Sequence, residues 1–509
     1  MSRAVETGTP ADPNMTTAAA SASTADAAPT VLGHPRGLAT LFFTEMWERF
    51  TFYGIQSILI LFLTAATGRG GLGFTDQSAS AVWGLYLGGT YLLSLLGGWV
   101  ADQLVGGQLA VASGGVLITA GNALLAAGGT RLFFLGLIFN VLGVGLLKPN
   151  VSATVGDLYP EGGARRDAGF SIFYIGINIG SLIGPFIVPI AAQAYGWHAG
   201  FALPAIGMLF GVVQFLATRR HLGSAGANPA NTGPRPWLTL WVLIGIICAV
   251  TATMLSGAVT VNPVALAGRV SWVVGLLMVG YLLYIAFFGR LTRDERNRVF
   301  AMTTLFVAST LFWMAYMQIF GPMTLFAARY TDLHVFGWNL PPGDMQTFPP
   351  SFIILLAPVF AMLWVWLGKR NRDLSSPAKF ALGLLLIAAG MLVMYVAGQR
   401  VLHGNKVSLL WLVATYLLNA CGELCLSPVG LSSTTKLAPV RFAAQSMGLW
   451  FLTLALGSFL SGLLSSGYDA RHLETLPALY LTLFWWTAGG GIVMLLITPP
   501  VKRLMAGVH

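Results

Sequence analysis

The sequence predicts an all-α protein that crosses a membrane about fourteen times. Two observations carry that prediction. Of 509 residues, 56% are hydrophobic and only 9% are charged, whereas soluble domains carry about 25% charged residues. The apolar residues also fall in runs, such as 132–147, 237–258 and 274–288, near the ~20 residues that cross a hydrocarbon core about 30 Å thick. The runs lack the alternation that barrel strands require, so the spans are helices, which satisfy their backbone internally.

Taken in order, residues 1–37 are rich in Ala, Thr, Ser and Pro and read as a disordered cytoplasmic tail without a signal-peptide core. Met1 and Met15 both remain open as the start. Spans then begin near Leu38, Ser80, Leu109, Leu132, Asp167, Ala199, Trp237, Ala265, Val299, Phe348, Lys379, Val407, Arg441 and Leu476. Six precede the Gly/Pro/Asn-rich linker 223–236, two lie between it and the basic loop 290–298, and six follow. The expected organisation is a six-helix bundle over 38–222, a linker with an accessory hairpin over 223–298, a second six-helix bundle over 299–500 and a tail over 501–509. The accessory pair carries no intramembrane ionisable residue and reads as structural.

The net charge of +10 does not indicate nucleic acid. Its basic residues sit in short clusters between apolar runs, as in Lys369, Arg370 and Arg372, with no interleaved aromatics. With the N-terminus inside, 19 Lys and Arg fall in inside segments and 7 in outside ones, so both termini are expected to be cytoplasmic. Cys248, Cys421 and Cys425 lie in apolar runs and read as packing residues, since nothing completes a metal site. The seven histidines lie in loops or tails, and no HExxH or GxSxG motif stands out, which argues against an enzyme.

Five charges interrupt the spans. Glu45, Glu48 and Arg49 lie at i, i+3 and i+4 in the first, with Tyr53 and Gln56 continuing the stripe. A charge in a membrane costs at least about 2.5–3.5 kcal/mol, so this stripe faces protein or water. Arg49 neutralises one glutamate but not both, which leaves a carboxylate able to carry a proton. Lys148 precedes Pro149 near the expected end of the fourth span, where a broken, Gly-rich helix suits a cavity. Glu423 precedes Pro428 in the second bundle. If Lys148 and Glu423 meet, they form a charge pair that is broken and remade as the halves rock.

These residues carry a family resemblance. Glu45, Glu48, Arg49, Phe50, Tyr53 and Gly54 resemble the ExxERFxxYG signature of proton-dependent oligopeptide transporters, which are major facilitator superfamily symporters. Residues 143–152 resemble GxGxxKPNxS, 173–181 FYxxINxGS, 422–432 GExxxSPxGLS and 447–451 MGxWF. The matches are collinear from the first span to the thirteenth, the eleventh when the accessory pair is left out of the count, and that pair resembles the arrangement of bacterial members. The resemblance implies the major facilitator fold in a plasma (inner) membrane. It also implies proton coupling through Glu45, Glu48, Arg49 and Glu423. Substrate contacts would come from Tyr53, Gln56, Tyr91, Lys148, Asn178, Trp313, Gln318, Glu423, Ser427 and Trp450. Lys148 would pair with a substrate carboxylate or with Glu423, and Glu423 would bind a peptide's amino terminus. No cofactor or metal is expected, with a proton gradient as driving force; the oligomeric state stays open.

The chain also departs from the pattern. Gln56 stands where the family has an arginine, Met317 where it has an acid, and Pro349 where it has an asparagine; Gln103 and Gln108 replace basic residues common in the superfamily. Losing both partners of a buried ion pair is physically coherent, whereas losing one is costly. The expected function is import of di- and tripeptides or peptide-like solutes, ordinary peptides being weaker substrates than in members with the full set. The alternative is a proton-coupled carrier of a non-peptide anion or metabolite on the same fold. A sensor or scaffold that binds without transporting is a further reading.

Overall fold

The computed structural model describes residues 30–31, 33–160, 163–227, 234–257, 261–335, 337–370, 372–404, 406–467 and 473–505. The tail expectations for 1–29 and 506–509, and the linker residues 228–233, lie outside the described residues.

The first eight helices are α1 Arg36–Thr64, α2 Asp76–Val100, α3 Gly107–Ala127, α4 Thr130–Asp157, α5 Gly163–Tyr195, α6 Trp197–Thr218, α7 Pro234–Ser256 and α8 Pro263–Phe288. There follow α9 Arg293–Tyr316, α10 Pro322–Tyr330, α11 Phe348–Lys369, α12 Ser376–Leu402, α13 Leu410–Leu437, α14 Ala443–Ser465 and α15 Thr475–Leu504. Thirteen helical segments are long and apolar enough to cross a membrane. With α1, whose 29 residues include Arg36, Glu45, Glu48 and Arg49, they make fourteen spans. Each begins within six residues of the start read from the sequence. The chain is a multi-pass membrane protein.

Local chemistry sets several boundaries. Thr75 accepts from the Ser78 amide at the start of α2. Asn262 caps α8 ahead of Pro263. Thr292 and Glu295 form a reciprocal capping box at α9. The ninth span is not one helix, as the sequence reading had it. It tightens to a 3₁₀ turn over Met317–Phe320 and restarts at Pro322 as α10, because Pro322 cannot donate to the preceding turn. Conversely, α4 and α13 run on past Pro149 and Pro428.

In the first half α1 packs on α5 and α6, α3 on α4 and α6, and α2 on α4. In the second, α12 packs on α13 and α15, α9 on α14 and α15, and α11 on α13. The halves meet chiefly where α2 lies against α14, and where the 3₁₀ segment Pro342–Thr347 wedges onto α5 and α1. A Cβ on Gly84 would sit 2.8 Å from the Gly462 Cα, so glycine is required at this helix crossing. Outside both halves, α8 leans on α14 and α2. Its companion α7 leaves large side chains such as Leu238 and Trp241 exposed, as expected of a helix whose solvent is lipid.

One end of the molecule, where α1 begins and α15 ends, is here called the tail face. On the opposite face the halves are sealed. Arg329 of α10 forms a two-pronged ion pair with Asp76 of α2 at 2.5 and 2.7 Å. Beneath it, Gln346 Nε2 donates to Thr324 Oγ1 at 2.9 Å and to the Gln56 carbonyl at 3.4 Å. Toward the tail face the interior opens. The Glu423 face of α13 passes from half-buried Ser427 to exposed Leu431 and Thr435; on α5, buried Asn178 gives way to exposed Tyr174 and Ser171.

Candidate functional site

The stripe on α1 is held by close helix contact. A Cβ on Gly180 of α5 would stand 2.8 Å from the Arg49 Cβ and from the Phe50 nitrogen, so only glycine lets α5 press against the stripe. Glu45, Glu48 and Arg49 are 2%, 0% and 3% exposed, too dry for an uncompensated charge. Arg49 Nε lies 3.1 Å from Glu45 Oε1 and 2.5 Å from Glu48 Oε2. One guanidinium thus touches both carboxylates instead of choosing one. Among the described residues Glu45 Oε2, Glu48 Oε1 and Arg49 Nη2 have no hydrogen-bond partner. Two carboxylates around one cation leave room for one proton. Phe52 and Tyr53 turn their rings toward the guanidinium, at 5.2 and 6.0 Å.

Lys148 is half-buried within α4. The helix continues to Asp157, so the broken end expected at Pro149 is absent and the ammonium lies about two turns inside, out of reach of the surface. Asn150 Nδ2 donates to the Gly97 carbonyl at 3.0 Å, pinning this stretch to α2. The Lys148 ammonium stands 4.1 Å from the Tyr91 ring centroid. Among the described residues it pairs with no carboxylate.

On α13, half-buried Glu423 leaves Oε2 unpartnered among the described residues, with the Tyr316 hydroxyl of α9 beside the carboxylate. The Lys148–Glu423 pair is therefore not formed in this state: α4 and α13 do not pack on one another, since the interior between them is open. Tyr53, Tyr91 and Tyr174 nonetheless lie within the electrostatic reach of Glu423. Ser427, one turn on, has no partner for its hydroxyl. Trp313 keeps its indole N–H unpartnered and packs its ring on Tyr316 at 5.2 Å. Asn178 donates to its own helix at Tyr174, 2.8 Å away.

Three expected contact residues are placed elsewhere. Gln56 is fully buried and accepts from Trp83 Nε1 at 2.8 Å. Gln318 is fully buried, donating to Ser461 Oγ at 2.9 Å and accepting from Ser465 Oγ at 2.8 Å. Both belong to the sealed face, where neutral hydrogen bonds stand at the level of the absent ion pair. Trp450 is 2% exposed, its ring against Gly430 and between Phe306 and Phe380. It is core here and lines no opening. Sequence reasoning missed Tyr316. The signal was its position three residues after Trp313, on the same helix face.

The family model described as PTR2, POT family, matches residues 108–477. The chain is 41% identical over 491 residues to the peptide transporter YePEPT of Yersinia enterocolitica subsp. palearctica, covering 94% of this chain and 96% of the relative. It is 37% identical to the di-/tripeptide transporter of Lactococcus lactis subsp. cremoris, covering 83% and 87% of the two chains. A crystal structure of a POT family transporter in complex with 5-aminolevulinic acid matches with a TM-score of 0.86 at 33% identity, covering 93% of this chain and 98% of that one. The chain belongs to the POT family of transporters and has their major facilitator fold.

Proposed function

We propose that this chain is a proton-coupled symporter that imports di- and tripeptides or peptide-like solutes by alternating access. The observation that carries the reading is a pair of opposite charges, Lys148 and Glu423, on different halves of the molecule, with no ion-pair partner on either among the described residues. A zwitterion supplies both partners, its carboxylate to Lys148 and its ammonium to Glu423. Tyr53, Tyr91, Asn178, Trp313 and Ser427 form the walls around them. Glu45 and Glu48, sharing Arg49, hold the coupling proton. The tail face is cytoplasmic, following the Lys/Arg bias, so the structure is closed outward and open inward. No cofactor enters this cycle; the proton gradient drives it.

The test is peptide-driven proton uptake in liposomes, comparing the wild type with Glu48→Gln and Glu423→Gln. Peptide uptake without any pH change sinks the coupling. Normal transport by both variants sinks the residue assignment.

A second reading is a non-peptide solute. Gln56 and Met317 remove two charges from the sealed end, which narrows the fixed charges available to a substrate to those around Lys148 and Glu423. A related structure holds 5-aminolevulinic acid. A thermal-shift panel separates the readings: stabilisation by another metabolite class and none by dialanine favours the second.

A further inference from the structure

Asp344 sits in the 3₁₀ segment Pro342–Thr347, the wedge on the sealed face. It is 3% exposed, and among the described residues neither carboxylate oxygen has a hydrogen-bond partner. Its backbone is satisfied, the amide by Pro341 and the carbonyl by Thr347 Oγ1. The side chain is the unmatched part.

The neighbours that the packed elements bring to the segment are uncharged. The segment packs on α1, α5, α10 and α11. From α1 come Gln56, whose carbonyl accepts from Gln346, and Ser57, whose carbonyl would lie 2.5 Å from a Cβ on Gly343. From α5 comes Pro189, and from α10 Thr324. α11 begins with Phe348, Pro349 and Pro350. The charged group on α10 is Arg329, which is committed to Asp76. Among the described residues Asp344 forms no ion pair. An ionised carboxylate without a partner is among the costliest things to bury, and such groups take up a proton instead.

The wedge exists only while the opposite face is closed, because α1 and α5 belong to one half and α10 and α11 to the other. The geometry points to Asp344 as a proton-binding site on the opposite face, one that must be neutral for that face to close. Opening wets the carboxyl, which then releases its proton to water; closing requires the proton back. Acid on that side therefore drives the transporter toward the state described here. This site is separate from Glu45, Glu48 and Glu423, and the inference rests on the alternating-access reading without depending on the substrate.

The test is a spin-label distance across the sealed face, between Ala66→Cys and Trp338→Cys, both exposed positions. Cys248, Cys421 and Cys425 are replaced by alanine. In the wild type the open-to-closed ratio is expected to rise with pH, by up to about tenfold per unit for one proton. Asp344→Asn, neutral at every pH, is expected to stay closed throughout. Asp344→Glu is expected to restore the titration, and Asp344→Ser to behave as Asp344→Asn, which covers a fold-specific failure of either variant. A wild-type ratio flat in pH, or an identical titration in Asp344→Asn, overturns the inference. An intact Asp344 titration in a protein that moves no protons with peptide overturns the symport reading alone.

Discussion

The Lys148 ammonium stands 4.1 Å from the Tyr91 ring centroid. An ammonium over an aromatic face gains ~0.5–2 kcal/mol without being neutralised. Tyr91 thus holds the cation in place and leaves its charge available. Tyr91→Phe keeps the ring and is expected to change the peptide KM by less than about threefold, whereas Tyr91→Leu is expected to raise it about 3- to 30-fold. Radiolabelled peptide uptake checks both. Lys148→Gln is expected to lose uptake of zwitterionic peptides beyond either Tyr91 variant.

The triad on α1 makes a second prediction. Arg49→Met leaves two buried carboxylates with no cation, and removing one partner of a buried ion network costs about 3–5 kcal/mol. Thermal unfolding in detergent is expected to show a large loss of stability. Replacing Glu45 and Glu48 by glutamine in the same protein is expected to recover most of it, since no buried charge then remains unpaired.

Glu48→Gln alone separates coupling from carriage. Exchange of labelled for unlabelled peptide needs no net proton movement and is expected to persist. Accumulation against a gradient is expected to fall at least about tenfold, a change of ~1.4 kcal/mol in driving force. Loss of both activities together would mean that Glu48 is structural.

The sealed face offers a double-mutant cycle. Gln56→Arg or Met317→Glu alone buries an unmatched charge and is expected to destabilise the protein. Both together restore opposite charges on adjoining segments, α1 and the turn Met317–Phe320, and are expected to recover about 0.5–3 kcal/mol of coupling. Thermal unfolding of the four proteins reads it. If the double variant is no better than the sum of the singles, the two positions do not face one another.

Much of this architecture was legible because lipid leaves few alternatives. Apolar run length gave every span, and the cost of an intramembrane charge singled out Glu45, Glu48, Arg49, Lys148 and Glu423. The misplaced residues fail for a common physical reason. Helical periodicity says which residues share a face, but not which neighbour covers that face. The resemblance made Trp450 and Gln318 cavity contacts, yet Phe306, Phe380, Ser461 and Ser465 cover them. Pro149 was read as a break, but α4 runs through it to Asp157, with Asn150 tied to the Gly97 carbonyl of α2. Asp344 escaped notice because it lies in a loop by sequence, and only the fold reveals that the loop is buried.

The seal on the opposite face is layered. Its rim is the ion pair of Arg329, 30% exposed, with Asp76, 6% exposed; its inner layer is the uncharged set formed by Gln56, Trp83, Gln318, Ser461 and Ser465. Dissolved ions screen the first and leave the second untouched, since screening acts on solvated charge and shortens its reach to about 3 Å in molar salt. A titration with inert electrolyte therefore peels the two layers apart. The rim loosens while the inner latch holds, so a saline environment makes the entrance easier to unlock without letting the barrier leak.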